Sequence, residues 1–174
     1  TISHDPSLIQ SIFSTNSGAS DYTPNSDFIW LYIDSQGNIE TQIRSTEMYG
    51  AEVIEGPNVL DDLWHEAKVT FSDGLLELWL DSELIGSVDN VPVDVINPVT
   101  DIEIGSENYG DQCRCFLGYI SEVVVTNNSA TVIDFPFSSG AGGILYDHSG
   151  NANHGTINGN IIWEENIYGC TDEQ

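Results

Sequence analysis

Residues 63–88 read LWHEAKVTFSDGLLELWLDSELIGSV, and this stretch decides the fold. Over residues 65–72, apolar and polar side chains alternate with the period of two that is typical of a half-buried strand. Residues 73–74 are Asp-Gly, a strong hairpin signal, and residues 75–80 place three leucines on one face. A second turn follows at residues 81–83, so the stretch predicts three consecutive antiparallel strands.

Short strands separated by turn residues continue on both sides of this stretch. We expect them at residues 28–33 and 39–44, which form a hairpin, and at residues 102–104, 116–126, 134–137 and 161–163. No window has the 3.6-residue period of a convincing amphipathic helix. Many short strands, with no helices to cover a parallel sheet, predict an all-β fold: an antiparallel two-sheet β-sandwich of jelly-roll type.

The charge balance is extreme and excludes one class of partner. The 174 residues include 28 acidic and 3 basic side chains, for a net charge of −25. Nucleic-acid binding requires lysine and arginine to displace counterions, so we expect no nucleic-acid partner. No apolar run of membrane-spanning length occurs, so we also expect no membrane insertion. The acids are dispersed along the chain, which favours a solvated surface suited to high ionic strength over a cation-binding function.

Several segments together resemble the laminin-G-like, concanavalin A-like lectin/glucanase superfamily. They are Trp64-His65 at a strand start, LWLDSELIG at 78–86, IEIGS at 102–106 and FLGYISEV at 116–123. Ser82 stands where this family usually has glycine. YDHSGNANHGT at 146–156 is similar to a segment common in bacterial and phage-borne members. The resemblance extends over about residues 12–163 and implies a concanavalin A-like sandwich.

We expect one laminin-G-like domain over residues 1–166. Few residues precede Ser11, which leaves open whether the strands that usually open this family's domains are present. GCTDEQ at 169–174 looks like the start of a Cys-containing repeat of extracellular multidomain proteins. Residues 167–174 are therefore expected to be a linker or the start of such a repeat, and the chain to be a piece of a longer protein.

Three cysteines, an odd number, occur in the chain. Cys113 and Cys115 are two residues apart, so an extended strand would direct both side chains to one face. We expect a structural disulfide of Cys170 with Cys113 or Cys115, and free thiols are the alternative. Zinc is not expected, because neither a second close cysteine pair nor histidines at ligand spacing are present.

Catalytic residues are not predicted. The glucanases that the chain resembles carry E-x-D-x-x-E on one strand, and the nearest acids here are Asp101, Glu103 and Glu107, whose spacing differs. His65 lies on an apolar face and is expected to be a core or rim histidine bonded to backbone rather than a general base. We therefore expect a non-enzyme, with a polysaccharide hydrolase as the weaker alternative.

Calcium is the inorganic cofactor that the resemblance implies, held at the sandwich rim by loop oxygens. The candidate ligands are Asn108 and Asp111 in one loop, and Asp147 and Asn151 in another. Asp147 has a competing interpretation, because an Asp before Ser-Gly-Asn often closes an Asx-turn on backbone amides.

Sugar recognition would use exposed aromatic side chains for stacking. Trp79 lies on the polar side of its strand beside Glu77, and Tyr109 lies in a polar loop, so both are candidate glycan-binding residues. Packing of Trp79 under a loop is an equally good interpretation.

The leading functional hypothesis is a non-catalytic extracellular adhesion or carbohydrate-binding module, at the cell surface or secreted, whose partner is a glycan or a surface protein. The alternative is a structural subunit of a phage tail, a virion fibre or an extracellular filament, which would self-assemble through edge strands or termini.

Overall fold

The computed structural model describes residues 9–15, 28–44, 48, 50–92, 101–106, 108–109, 112–137, 142–159 and 161–163. Within these ranges the chain forms strands and turns and has no helix that could span a membrane. The strands are β1 Gln10–Thr15, β2 Phe28–Ile33, β3 Asn38–Arg44, β4 Ala51–Asn58, β5 Ala67–Ser72, β6 Leu75–Leu80, β7 Glu83–Val88, β8 Ile102–Ile104, β9 Asn108–Tyr109, β10 Gln112–Cys113, β11 Val123–Asn127, β12 Ala130–Phe135, β13 Ile144–Leu145 and β14 Gly155–Thr156.

The chain divides into two compact units, Thr1–Gly118 and Tyr119–Gln174. The first contains a five-stranded sheet of order β4-β3-β2-β1-β8 and a three-stranded sheet of order β5-β6-β7. The second contains the antiparallel pairs β11-β12 and β13-β14. The single domain expected over residues 1–166 stays a prediction.

The predicted hairpin of residues 28–44 is confirmed as β2 paired with β3. Its turn is closed by Asp34, whose Oδ1 accepts hydrogen bonds of 2.8 Å from the backbone N–H groups of Gln36 and Asn38. The carboxylate thus satisfies two donors that the turn leaves without a ladder partner, as Asx-turns do.

The three consecutive antiparallel strands predicted over residues 65–88 are confirmed as β5, β6 and β7. Both connecting turns have positive φ at two successive residues: 50° and 81° at Asp73 and Gly74, and 50° and 68° at Asp81 and Ser82. This is the type I′ geometry whose twist matches that of the flanking strands.

The five-stranded and three-stranded sheets of the first unit share one hydrophobic core. Its buried residues alternate along strands of both sheets, and one more follows β7: Leu31, Ile39, Ile43, Ile54, Leu76, Leu78, Leu80 and Val91. Gly86 of β7 lies where a Cβ would be 2.7 Å from Ile54 Cγ2 of β4. The absence of a side chain at this glycine therefore permits close packing of strands from the two sheets.

Two predicted strands differ from the structure. Residues 116–126 do not form one long strand, because strand pairing begins only at Val123. The N–H of Phe116 donates to Gly105 O at 2.8 Å, and that of Leu117 donates to Gln10 Oε1 at 2.9 Å. These donors are satisfied outside a strand ladder, so no strand extends here. Residues 161–163 are also not a strand.

The sequence pattern also missed the start of one strand and the whole of another. The strand expected at 134–137 is β12, Ala130–Phe135, and begins earlier. β4, Ala51–Asn58, was not predicted at all. It contains Gly56 and Pro57, which are depleted in strands, and it lies at the edge of its sheet, where proline is tolerated.

We expect the Ser82→Gly variant to be more stable than the natural chain by about 0.5–1 kcal/mol, because glycine adopts a φ of 68° without the steric cost that serine incurs. Urea unfolding monitored by tryptophan fluorescence measures the difference. The matched control is Ser87→Gly within β7, which is expected to be destabilising by a similar amount. A lower unfolding midpoint for Ser82→Gly would contradict the turn assignment.

Candidate ligand-binding surface

The four tryptophans differ sharply in exposure. Trp30 is 4% exposed, whereas Trp79 and Trp163 are half-buried. Trp64 is 47% exposed, and its neighbour Leu63 is 71% exposed. Trp64 is therefore the most exposed of the four tryptophans.

Trp64 lies on residues 61–66, here called the Trp64 loop, which leads into β5. Asp61 Oδ1 accepts a 3.0 Å hydrogen bond from the N–H of Leu63, which closes an Asx-turn. At the other end of the loop, the N–H of Glu66 donates to Asp81 Oδ1 at 2.9 Å. The N–H of Asp81 donates in return to Glu66 O at 2.8 Å. The loop is thus fixed to the β6–β7 turn.

His65 adds a side-chain bridge between these same two aspartates. Its Nδ1 is 2.8 Å from Asp81 Oδ2, and its Nε2 is 3.1 Å from Asp61 Oδ1. Both contacts are hydrogen bonds only when both ring nitrogens carry a proton, that is, in the imidazolium form. The expectation that His65 bonds to backbone is therefore wrong, because its partners are two carboxylates.

The bridge shifts the pKa of each member. The hydrogen bond with Asp81 is the main cause that raises the pKa of His65, and it also lowers the pKa of Asp81. The pKa of Asp61 is lowered first by the Leu63 N–H and then by His65. All three shifts favour the charged forms, so the positive ring lies between two negative groups.

The bridge predicts a pH dependence of stability. Because the pKa of His65 is higher in the folded chain than its usual 6.5, the stabilisation is complete below 6.5 and is lost as pH rises through the raised value. We expect the urea midpoint of the natural chain to fall over this window more than that of His65→Gln. The matched control is His148→Gln, in which the fall should persist. Equal pH profiles of His65→Gln and the natural chain would contradict the bridge.

The bridge does not form a catalytic triad. Both nitrogens of His65 contact carboxylates, whereas a triad histidine directs one nitrogen at a nucleophile. Of the acids considered for glycoside hydrolysis, Glu103 lies in β8 opposite Ser14, Asp101 directly precedes that strand, and Glu107 lies outside the described residues.

Trp79, the predicted glycan-binding residue, lies on the outer face of the three-stranded sheet, as the alternation indicated. Lys68 Nζ is 5.0 Å from its ring centroid. The indole Nε1 donates to Glu77 Oε2 at 3.2 Å, and Thr70 Oγ1 donates to the same oxygen at 2.9 Å. A sugar could stack on this face of the ring only after displacing the lysine, so the ligand role of Trp79 stays a prediction.

Trp30 packs in the interior of the first unit. Its ring stacks on Tyr32 at a centroid distance of 4.0 Å, and the Arg114 guanidinium lies 4.8 Å from its centroid. Its Nε1 donates to Ser11 Oγ at 2.9 Å. Because Trp30 is only 4% exposed, this ring is not available to a ligand.

Asp147, a predicted calcium ligand, closes a turn in the second unit. Its Oδ1 accepts hydrogen bonds from the N–H groups of Asp134 at 3.0 Å and Ser149 at 2.9 Å. Its Oδ2 accepts from Ser149 Oγ at 2.8 Å and from the N–H of Asn153 at 2.9 Å. Burial alone would raise the pKa of Asp147, but the bonds from Ser149 and the other donors outweigh it and hold the pKa far below the usual 3.8.

The carboxylate of Asp147 is already occupied. Four donors bond to its two oxygens, and a cation would have to displace them. The Asx-turn interpretation therefore accounts for the contacts of Asp147. Asn151, the second predicted ligand there, donates from its amide Nδ2 to Thr131 O at 2.9 Å. This bond uses the amide nitrogen and not the oxygen that would bind calcium, so the ligand role of Asn151 stays a prediction.

We expect Asp147→Ala to lower the melting temperature of the chain by the same amount in calcium and in EDTA, because the four lost hydrogen bonds are within the protein. Differential scanning fluorimetry measures both conditions. Asp134→Ala is the matched control, because its backbone N–H, not its carboxylate, bonds to Asp147. A calcium-dependent stabilisation of the natural chain that Asp147→Ala alone removes would overturn this assignment.

The other predicted site residues are only partly described. The side chains of Asn108, Tyr109 and Cys113 lie outside the described part of the structure, as do Asp111 and Cys170. Cys115 is disulfide-bonded, but its pairing stays a prediction. Among the described residues, no group of three or more His, Cys, Asp or Glu side chains could hold a metal ion.

Comparison with known proteins identifies the family. The sequence profile of the concanavalin A-like lectin/glucanases superfamily matches residues 2–133. The chain belongs to this superfamily. The resemblance drawn over about residues 12–163 is thereby confirmed as to the superfamily, and the segment at 146–156 lies outside the matched residues. A search of curated protein sequences finds no match to this chain.

A solved structure agrees with the superfamily fold. The chain is similar to the CBM40 module of the Ruminococcus gnavus IT-sialidase bound to alpha2,3 sialyllactose, with a TM-score of 0.52 and 20% identity. The match covers 68% of this chain and 66% of that one, just under two thirds of its length. The same module bound to alpha2,6 sialyllactose matches with a TM-score of 0.49, 19% identity and coverage of 68% and 67%.

Trp64 of this concanavalin A-like chain was missed as a candidate, although the sequence carries a signal for it. The alternation that places Lys68 and Thr70 on the outer, polar side of β5 also places Trp64 on that side when it is extended backwards. A tryptophan at a polar position of such a pattern indicates an exposed ring.

Proposed function

We propose that this chain is a non-catalytic carbohydrate-binding module of a secreted or cell-surface protein. The observation that carries the proposal is the exposure of Trp64, 47%, on a loop that Asp61 and Asp81 hold in place. An exposed indole stacks on the apolar face of a sugar ring, and neighbouring carboxylates accept hydrogen bonds from sugar hydroxyls. Holding the ring in place before binding lowers the entropy cost of association.

The superfamily and the fold support this function. The two larger sheets of the first unit share a core, and we propose that the complete domain is a two-sheet jelly-roll sandwich. A solved structure of similar fold is a carbohydrate-binding module rather than a catalytic domain. Fold likeness at 20% identity does not carry the ligand over, so the proposal rests on the exposed tryptophan.

Trp79 and Tyr109 remain proposed as further glycan-binding residues. The Glu77 carboxylate and the Thr70 hydroxyl beside Trp79 supply polar groups of the kind that sugars use. Calcium, if it takes part, is proposed to bind at Asn108 and Asp111, with Asn151 as a further candidate, because the oxygens of Asp147 already accept four hydrogen bonds.

A glycan array probed with the purified chain tests the function. We expect glycan binding that Trp64→Ala removes. Trp79→Ala tests whether Trp79 also contributes to binding, and EDTA tests whether binding requires calcium. Absence of any glycan signal, together with regular polymers in electron micrographs, would favour the structural subunit of a tail, fibre or filament. Release of new reducing ends from a bound polysaccharide, lost in Glu103→Gln, would instead favour a hydrolase.

A further inference from the structure

Leu63 and Trp64 form an exposed apolar patch, 71% and 47% exposed, within a strongly acidic surrounding. Three exposed acids share the Trp64 loop with this patch, a fourth lies in the adjoining β6–β7 turn, and a fifth begins β7: Asp61, Asp62, Glu66, Asp81 and Glu83. The loop and the turn are joined through the hydrogen bonds between Glu66 and Asp81. A ligand seated on Trp64 therefore lies beside the carboxylates of the same loop, whose field acts over a screening length of about 8–10 Å at ordinary ionic strength.

None of the three basic residues of the chain lies in the Trp64 loop. Lys68 is two residues beyond the loop and lies over Trp79, and Arg114 lies over Trp30. Arg44 is in β3 of the other sheet, opposite Phe28. Within the loop, His65 lies between two aspartates, so the bridge keeps a net negative charge even when the ring is protonated.

Charge complementarity therefore decides what kind of ligand suits the patch. A sugar acid would bring its carboxylate into a negative field, with no described lysine or arginine at the Trp64 loop to pair with it. A protonated amine would be attracted both by the carboxylates and by the face of the indole ring, through a cation–π interaction.

We propose that the Leu63–Trp64 patch binds oligosaccharides of amino sugars in their protonated, non-acetylated form. This inference rests on the proposed carbohydrate-binding function and names its ligand class. A pyranose ring packs on Trp64, and its ammonium group lies among the carboxylates that border the loop. The acetylated sugar keeps the ring but loses the charge, so it retains stacking alone.

Isothermal titration with a glucosamine oligomer, its N-acetylated counterpart and sialyllactose tests the ligand class, at about pH 5.5, where carboxyl groups are ionised and amines are protonated. We expect the amine oligomer to bind about tenfold tighter than the acetylated one, and sialyllactose to bind weakest. Raising the salt from about 0.1 to about 1 M, which shortens the screening length from about 10 to about 3 Å, should weaken the amine oligomer several-fold.

Two aspartates with positive φ provide a matched pair of variants. Asp62 (φ 62°) is in the Trp64 loop, and Asp73 (φ 50°) is in the β5–β6 turn, at the far end of six-residue strands and roughly 20 Å away. Asparagine tolerates this conformation, so Asp→Asn removes the charge and keeps the backbone. Asp62→Asn should weaken the amine oligomer roughly two- to fivefold, and Asp73→Asn should leave it unchanged.

The outcomes separate this inference from the function on which it rests. Equal, salt-independent affinity for both oligomers, lost in Trp64→Ala, would overturn the cationic ligand class while the carbohydrate function stands. Binding of neither oligomer nor any array glycan would overturn both. A lysine-rich peptide that displaces the amine oligomer and binds tighter through Trp64 would overturn the sugar class in favour of a basic protein segment.

Discussion

Replacing Trp64 by alanine is expected to weaken glycan binding about tenfold or more. Truncation of a central aromatic anchor typically costs about 2 kcal/mol, which corresponds to roughly thirtyfold in the dissociation constant. The ring is 47% exposed and lies outside the buried core cluster, so its removal leaves the fold intact. Isothermal titration with the tightest array ligand measures the loss.

Trp79→Ala is the matched control for this change. It removes the same side chain from the outer face of β6, where Lys68 covers the ring, and its effect on binding at the Trp64 loop should be less than about threefold. Circular dichroism establishes that both variants fold. Full binding by Trp64→Ala, with loss in Trp79→Ala, would move the site to the outer face of the three-stranded sheet.

Replacing Leu78 by alanine is expected to lower the free energy of unfolding by about 3–5 kcal/mol. Leu78 is 0% exposed at the centre of β6 and belongs to the core that the two sheets share. Truncation there loses the burial of the side chain and leaves a cavity that the surrounding strands fill only in part. For a domain whose total stability is about 5–15 kcal/mol, this is a large fraction.

Leu84→Ala provides the comparison at the same residue type. Leu84 is 44% exposed at the start of β7, so its truncation should change the unfolding free energy by less than about 1 kcal/mol. Urea unfolding of the two variants measures both values. Equal losses of unfolding free energy in the two variants would contradict the assignment of an inner and an outer face to the three-stranded sheet.

The sequence predicted the three-stranded sheet well because its information is local. The period of two across residues 65–80 and the Asp-Gly turn are readable without any distant partner. The region after residue 113 could not be predicted in this way. There the donors of Phe116 and Leu117 bond to Gly105 and Gln10, and the latter is far away in sequence.

The candidate site was predicted only in part, for a similar reason. The alternation correctly placed Trp79 on an outer face, but the position of Lys68 over the ring depends on the register between β5 and β6. The bridge at His65 joins Asp61, four residues away, to Asp81, sixteen residues away. Only the folded hairpin brings that second aspartate to the ring, so a single-strand pattern indicates a core histidine instead.

The turn at Asp147 illustrates the limit of motif-based prediction. Asp and Asn in a Gly-rich loop suit both a calcium site and an Asx-turn, and the residue types do not distinguish them. The deciding donor is the N–H of Asp134, which lies on β12, thirteen residues before Asp147.

The most direct test of a ligand site at the Trp64 loop is an NMR titration of the four indole N–H signals with the array glycan. Single Trp→Phe variants assign the signals. We expect the Trp64 signal to shift saturably with ligand, while that of Trp30, which donates to Ser11 in the interior, does not shift. Saturable binding that leaves the Trp64 signal unmoved would contradict a ligand site at the Trp64 loop.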